Sequence, residues 1–333
     1  MKIVVGTRGS KLAVTQTNWV IDKLKKNHPS IEFEVKIIKT KGDLIQNVSL
    51  DKIGDKGLFV KEIEQQLIDG KIDVAIHSMK DMPSSLPDNL KFAGVPKRED
   101  PRDVLILRDG YNNLEDLPQG ATIGTGSKRR KYQLLNHRPD LNIVSIRGNV
   151  DTRIKKIKDE NLDGVVLAAA GILRVGLEHK ISCYLSPDIM IPAPAQGALA
   201  IEIRKDNIEV EEVINSLRDE ITEIEVAAER GFLDGVNGSC HIPMGAYCQI
   251  EGDKLNLTGL FGDEEGNVLI IKSIQGDINS PRSLGIRLAE IILNEYDSFE
   301  DQIAADIELL DQDSNYDDVS SKLLLKEYDS YEG

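Results

Sequence analysis

Across the first two hundred residues, short apolar runs alternate with longer stretches in which apolar residues recur every three or four positions. No other feature limits the fold as strongly. Residues 3–6, 31–40 and 72–76 read as strands. Residues 11–26, with Ala13, Thr17, Val20, Ile21 and Leu24 on one face, and 59–68 read as helices. The cycle restarts after Pro101, with strands at 104–107, 122–124, 143–146 and 164–168 and helices at 128–136 and 150–159. Strands this short and apolar are covered on both faces, which predicts an α/β chain of two doubly wound lobes with parallel sheets, divided near residue 100 by a cleft. The last third changes character. A helix over 221–233 precedes three hairpin strands, 244–251, 255–261 and 268–274, joined by turn-forming residues, and a helix over 282–294 closes a small α+β domain.

Charge narrows the function. The net charge of −15 argues against polyanionic partners, but its distribution does not. Residues 300–333 hold eleven acidic side chains against Lys322 and Lys326, an acidic tail with apolar islands at 307–310 and 323–325 that allow either docking or mobility. Residues 127–156 carry nine Lys or Arg against Asp140 and Asp151. An acidic chain that gathers cations in one segment directs them at an anionic ligand, or else displays a solvated helix face. No apolar run reaches the roughly 18 residues of a membrane span. The start, broken by Arg8, is no signal peptide, and Cys183, Cys240 and Cys248 lack the spacing of a zinc site or disulfide framework. The expectation is a cytoplasmic protein without metal.

Four polar clusters fall at strand ends: Thr7-Arg8-Gly9-Ser10, His77-Ser78-Met79-Lys80-Asp81, Thr125-Gly126-Ser127-Lys128-Arg129-Arg130 and Arg147-Gly148-Asn149. Strand carboxyl ends line the crevice of an open α/β sheet, three clusters open helices whose N-termini attract anions, and guanidiniums bind carboxylates in bidentate fashion. Together they predict an anion site. Gly124-Thr125-Gly126-Ser127 matches neither a phosphate-binding nor a dinucleotide loop. Asp81, beside Lys80, is placed to orient a ligand N–H or to stabilise a developing cation. Cys240, in the small-residue loop Asn237-Gly238-Ser239-Cys240-His241, reads as an accessible nucleophile or a structural thiol. A non-catalytic two-lobed binding protein would need neither Cys240 nor Asp81. A nucleic-acid binder would want more stacking rings than six Phe and one Trp.

The clusters together resemble the porphobilinogen deaminase (hydroxymethylbilane synthase) family. The match rests on Gly6-Thr7-Arg8-Gly9-Ser10, Lys56-Gly57-Leu58-Phe59-Val60-Lys61-Glu62, His77-Ser78-Met79-Lys80-Asp81, Arg98-Glu99-Asp100-Pro101-Arg102-Asp103, Ser127-Lys128-Arg129-Arg130, Arg147-Gly148-Asn149-Val150, Pro194-Ala195-Gln196-Gly197-Ala198 and Gly238-Ser239-Cys240, in order over residues 1–300. Departures fall at Gly126, Lys128 and Ser239, where serine, leucine and glycine are common. The resemblance implies three domains: 1–99 with 197–218, 100–196, and 219–299, the first two similar to type II periplasmic binding proteins, with 300–333 outside the pattern. It implies head-to-tail condensation of four porphobilinogen molecules, with loss of ammonia, into linear hydroxymethylbilane for heme, siroheme or corrin. A dipyrromethane cofactor, held by a thioether to Cys240, primes the reaction. Asp81 is the implied catalytic group. Lys80, Asp81, Thr125, Ser127, Arg129 and Arg130 are implied to hold the cofactor, and Arg8, Ser10, Arg147, Arg153, Arg174 and Gln196 the substrate or growing chain. Should Asp81 prove dispensable, Glu62 and Asp55 are the next candidates. The product is expected to pass to uroporphyrinogen-III synthase, and the protein to act as a monomer without nucleic acid or membrane.

Overall fold

The computed structural model describes residues 1–40, 60–237 and 242–312, the last thirteen as backbone only. Residues 1–292 form one compact unit, and the described residues from 293 on fall outside it. The first sheet has the order β2-β1-β3-β10-β4. Its strands are β1 (Lys2–Arg8), β2 (Glu32–Ile38), β3 (Val74–Ser78), β4 (Leu90–Phe92) and β10 (Leu199–Arg204). The second, β7-β6-β8-β5-β9, comprises β5 (Asp103–Leu107), β6 (Thr122–Gly124), β7 (Asn142–Val144), β8 (Gly164–Ala168) and β9 (Cys183–Tyr184). The chain thus leaves the first sheet after β4, builds the second, and returns with β10.

The sheets are mixed rather than parallel throughout. β1 runs parallel to β2 and β3, and β6 to β7 and β8, as the alternation predicts. β10 is antiparallel to β3 and β4, and β5 to β8 and β9. The antiparallel strands are the first ones formed after each crossing, when the chain arrives from the other lobe instead of through a covering helix. The short edge strands β4 and β9 carry too few residues to show a pattern. β1 and β3 outlast their apolar runs because ladder pairing continues, Arg8 opposite Ile38 and Ser78 opposite Leu199, so Arg8, His77 and Ser78 lie on strands rather than beyond them.

Helices α1 (Lys11–Asn27), α2 (Lys61–Ile68), α3 (Lys128–His137), α4 (Val150–Asp159), α5 (Ala169–Arg174) and α6 (Ile208–Asn215) cover the sheets. On α1, Val20, Ile21 and Leu24 join Ile3, Val5, Val74, Ile76, Ile201 and Ile203 in one core. In the second lobe the α3 residue Leu134 packs with Leu105, Ile123 and Val166. Helix α7 (Glu220–Gly235) precedes the antiparallel sheet β11 (Met244–Glu251), β12 (Lys254–Gly262) and β13 (Leu269–Asp277). The last helix, α8 (Pro281–Gln312), does not stop at 294, because no glycine or proline follows to end it. No helix among the described residues is long and apolar enough to cross a membrane.

Candidate active site

The strand-end clusters meet at the ends of β1, β3 and β6. Ser10 caps α1, its Oγ accepting from Ala13 N at 3.3 Å, and Asn149 caps α4 through Thr152 N at 2.9 Å. Buried Thr125 follows β6 and accepts from Ser127 N at 3.3 Å, while the Ser127 side chain, at the α3 N-cap, makes no capping bond. β3 runs into a single 3₁₀ turn, Met79–Asp81, held by Met79 N donating to Ala198 O at 3.0 Å and by the buried side chains of Met79 and Met82. From that turn Lys80 reaches inward, donating to Gln196 Oε1 at 3.1 Å, and Asp81 is exposed.

Beneath the turn lies a buried charge cluster centred on Asp103. Arg129 Nη1 donates to Asp103 Oδ2 at 2.7 Å and to Ile191 O at 2.6 Å. Arg130 donates to Asp103 Oδ1 through Nε at 3.0 Å and Nη2 at 2.7 Å, and to Val166 O at 3.3 Å. Gln196 Nε2 donates to the same Oδ1 at 3.0 Å and to Pro101 O at 2.7 Å, so Gln196 joins Lys80 to Asp103. Burial alone would raise the Asp103 carboxyl; the two guanidiniums hold it below the usual carboxylate range. Lys80, Arg129 and Arg130 share this buried carboxylate, with the exposed Asp81 also acting on Lys80, which leaves one cation in excess in a poorly solvated place. Burial first, then the field of Arg130, pushes Lys80 down to about 8, and burial also lowers Arg129. Enclosed excess cations are stabilised by added carboxylates, and the acetate and propionate groups on each pyrrole ring of dipyrromethane fit that demand.

Arg147, Arg153 and Arg174 lie near this cluster. Arg153 donates from Nε to Gly148 O at 2.8 Å. Burial and the nearby Arg130 push it down to about 10, with Asp81 acting in the opposite direction. Arg147 lies close enough to add to that repulsion. Arg174, at the end of α5, donates to Gly197 O at 2.6 Å and is lowered to about 10 by burial. Arg8 ends β1. Across the cleft, Lys11 Nζ at the start of α1 meets Asp151 Oδ2 on α4 at 3.1 Å.

Sequence reading missed the joint behind the site. Arg98 forms a bidentate pair with buried Glu229 of α7, both contacts 2.8 Å, and donates from Nε to Gln196 O at 2.8 Å. Glu229 also accepts from Ala195 N at 2.6 Å and Cys248 N at 3.0 Å. This holds Ala195 in the left-handed region at φ 59, next to Gly197 at φ 90, where a Cβ would run into the Glu99 carbonyl. The strained segment presents Gln196 to Lys80 and Asp103. Asp103 and Arg98 were legible only as members of a matching motif; a charge opening an all-apolar strand was the available signal for Asp103. Cys240, Asp55 and Lys56 lie outside the described residues, and Glu62 lies on α2.

Residues 3–212 match the family model described as porphobilinogen deaminase, dipyromethane cofactor binding domain, and residues 223–294 match the porphobilinogen deaminase C-terminal domain. The porphobilinogen deaminase of Clostridioides difficile is 72% identical over 90% of this chain and 100% of its own length. That of Clostridium novyi is 62% identical over 89% of this chain and 99% of its own, and that of Brevibacillus brevis 50% over 87% and 93%. Among solved structures, a Salmonella typhimurium periplasmic binding protein of high arginine specificity is similar at 17% identity and a TM-score of 0.36, over 67% of this chain and 93% of that one. The Bordetella pertussis BvgS periplasmic VFT2 domain is similar at 16% and 0.39, over 69% and 91%. Two family models that together span the α/β lobes and the small C-terminal sheet, with relatives matched along nearly their full length, lead to one conclusion: this chain belongs to the porphobilinogen deaminase family.

Proposed function

We propose that this chain condenses four porphobilinogen molecules head to tail into hydroxymethylbilane, primed by a dipyrromethane cofactor bound through a thioether to Cys240. The observation that carries the reading is the cation excess of Lys80, Arg129 and Arg130 over buried Asp103 and exposed Asp81, because each pyrrole ring brings two carboxylates. Lys80, Arg129 and Arg130 hold cofactor carboxylates, with Thr125 shaping the α3 N-terminus and the Ser127 hydroxyl available to a carboxylate oxygen. When bound, the cofactor supplies the primer ring to which substrate is joined. Arg8, Ser10, Arg147, Arg153 and Arg174 hold the acidic side chains of the incoming porphobilinogen, and Gln196 keeps Lys80 aimed at the site. The substrate's aminomethyl group reacts as its ammonium, so that when the C–N bond breaks the electron pair leaves with the nitrogen as neutral ammonia. The Asp81 carboxylate then opposes the positive charge left on the pyrrole and accepts a hydrogen bond from its N–H.

The sheet memberships support domains at 1–99 with 197–218, 100–196 and 219–299. We infer a cytoplasmic monomer, a reading supported by the free thiols of Cys183 and Cys248, whose product passes to uroporphyrinogen-III synthase. The purified full chain, given porphobilinogen, is expected to release four ammonia per hydroxymethylbilane formed and to turn pink with Ehrlich's reagent before any substrate is added. A colourless protein that leaves porphobilinogen unconsumed would refute the assignment.

A further inference from the structure

The turn between β12 and β13 belongs to the C-terminal sheet, yet it makes its most specific contacts with α3. Tyr132 Oη donates to Glu264 O at 3.0 Å, and Lys128 Nζ donates to the same carbonyl at 3.0 Å and to Glu264 Oε1 at 2.8 Å. The Tyr132 ring lies on the backbone of Gly266, whose φ of 80 favours glycine and where a Cβ would enter the ring. Burial raises the Tyr132 phenol, keeping it a donor. The turn is held by its own hydrogen bonds: Asp263 accepts from Val268 N at 2.7 Å, Glu265 N at 3.2 Å and Asn267 Nδ2 at 3.2 Å.

The same turn grips the chain just after Cys240. Gly262 N donates to Pro243 O at 3.1 Å, three residues beyond the cysteine in sequence. A second seam lies beside it. Ala246 N donates to Pro192 O at 3.0 Å, and Gly245 packs against the Ile191 and Pro192 carbonyls. The Ile191 carbonyl in turn accepts from Arg129 Nη1 at 2.6 Å and Gln133 Nε2 at 3.2 Å. Residues 243–246 are therefore tied to the arginine helix along two routes, one through the turn and one through the backbone that Arg129 itself grips.

From these two seams we propose that the turn of Asp263–Asn267, with Tyr132 as its receptor, is a positioning element that sets residues 243–246, which follow Cys240 in sequence, against the helix of Arg129 and Arg130. The proposal rests on the reading that Cys240 carries the cofactor and those arginines hold its carboxylates. A carboxylate clamp on one body and an anchor on another work together only if the separation between the bodies is fixed. A displacement near 1 Å is enough to lose on the order of a hundredfold in rate.

The test uses the full chain with Tyr132→Phe, Tyr132→Ala, Gly266→Ala and, alongside, Arg129→Leu. Two quantities are read: the fraction carrying dipyrromethane, by intact mass of the purified protein, and kcat and KM per loaded molecule. Tyr132→Ala and Gly266→Ala are expected to lower the loaded fraction and to reduce kcat on the order of tenfold or more with KM little changed. Tyr132→Phe keeps the ring and loses one hydrogen bond, so it should fall between them and the parent. If Gly266→Ala does not fold, Tyr132→Ala, which removes atoms, carries the test. Full loading and parental kcat in Tyr132→Ala, even with a lowered melting temperature, would overturn the positioning role while an impaired Arg129→Leu left the clamp standing. Full loading in Arg129→Leu would overturn the clamp and this inference with it.

Discussion

Lys80 and Asp81 leave one 3₁₀ turn for different surroundings, and their chemistry divides accordingly. Asp81 is exposed, so in its proposed role its charge acts fully only once substrate covers it. Asp81→Asn keeps the shape and removes the charge, and should lose about 10²–10³ in kcat, or about 3–4 kcal/mol of barrier. Asp81→Glu should retain more activity, and turnover measured on both checks the order. Lys80 makes a pH prediction. Its ammonium is depressed to about 8 from the usual 10.5, so between those values the unfolded chain binds more protons than the folded one, and stability from this group rises with pH. The penalty is fully present below about pH 8 and relieved by about 10.5. In cofactor-free Cys240→Ala protein, adding Lys80→Met should therefore raise the melting temperature below pH 8, with the gain shrinking across that window. A gain independent of pH would contradict the enclosed-cation reading.

At the scale of elements, α3 spends each face differently: Arg129 and Arg130 turn to Asp103, Leu134 to the lobe core, and Lys128 and Tyr132 to the third sheet. Arg129→Leu or Arg130→Leu removes a proposed cofactor partner and leaves Asp103 short of a counter-charge. Both the loaded fraction and the melting temperature should fall, because breaking a buried pair costs roughly 3–5 kcal/mol. Arg174→Leu, which loses a backbone contact at the crossing, should load normally and slow condensation instead. Loading measured by intact mass, beside turnover, separates the two classes. These elements were legible in the sequence where period and ends agreed: α4 spans Val150–Asp159 as its period predicts, and the three hairpin strands stand within a few residues of expectation. Strand direction was not legible, because it depends on which lobe the chain comes from. Nor were the partners of Arg129 and Arg98, since Asp103 and Glu229 lie 26 and 131 residues away and meet them only through the fold.

On the scale of the whole molecule, the α/β lobes and the third sheet converge on one short segment. Arg98 and Ala195, near the two crossings, share Glu229 of α7 with β11, while Lys11 and Asp151 bridge the cleft at the surface. A two-lobed binding protein needs no such third attachment; an enzyme that carries its primer on a separate domain does. Neither described thiol suits that attachment. Burial raises both Cys183 and Cys248, and the field of Glu229 raises Cys248 further, so neither readily forms the thiolate that a thioether requires. The direct measurement is intact mass of the purified chain and its three cysteine variants. The parent, Cys183→Ala and Cys248→Ala should each exceed the sequence mass by two linked pyrrole units, and Cys240→Ala should match its own sequence mass and be inactive. A parent without added mass, or an active Cys240→Ala, would contradict covalent priming at Cys240.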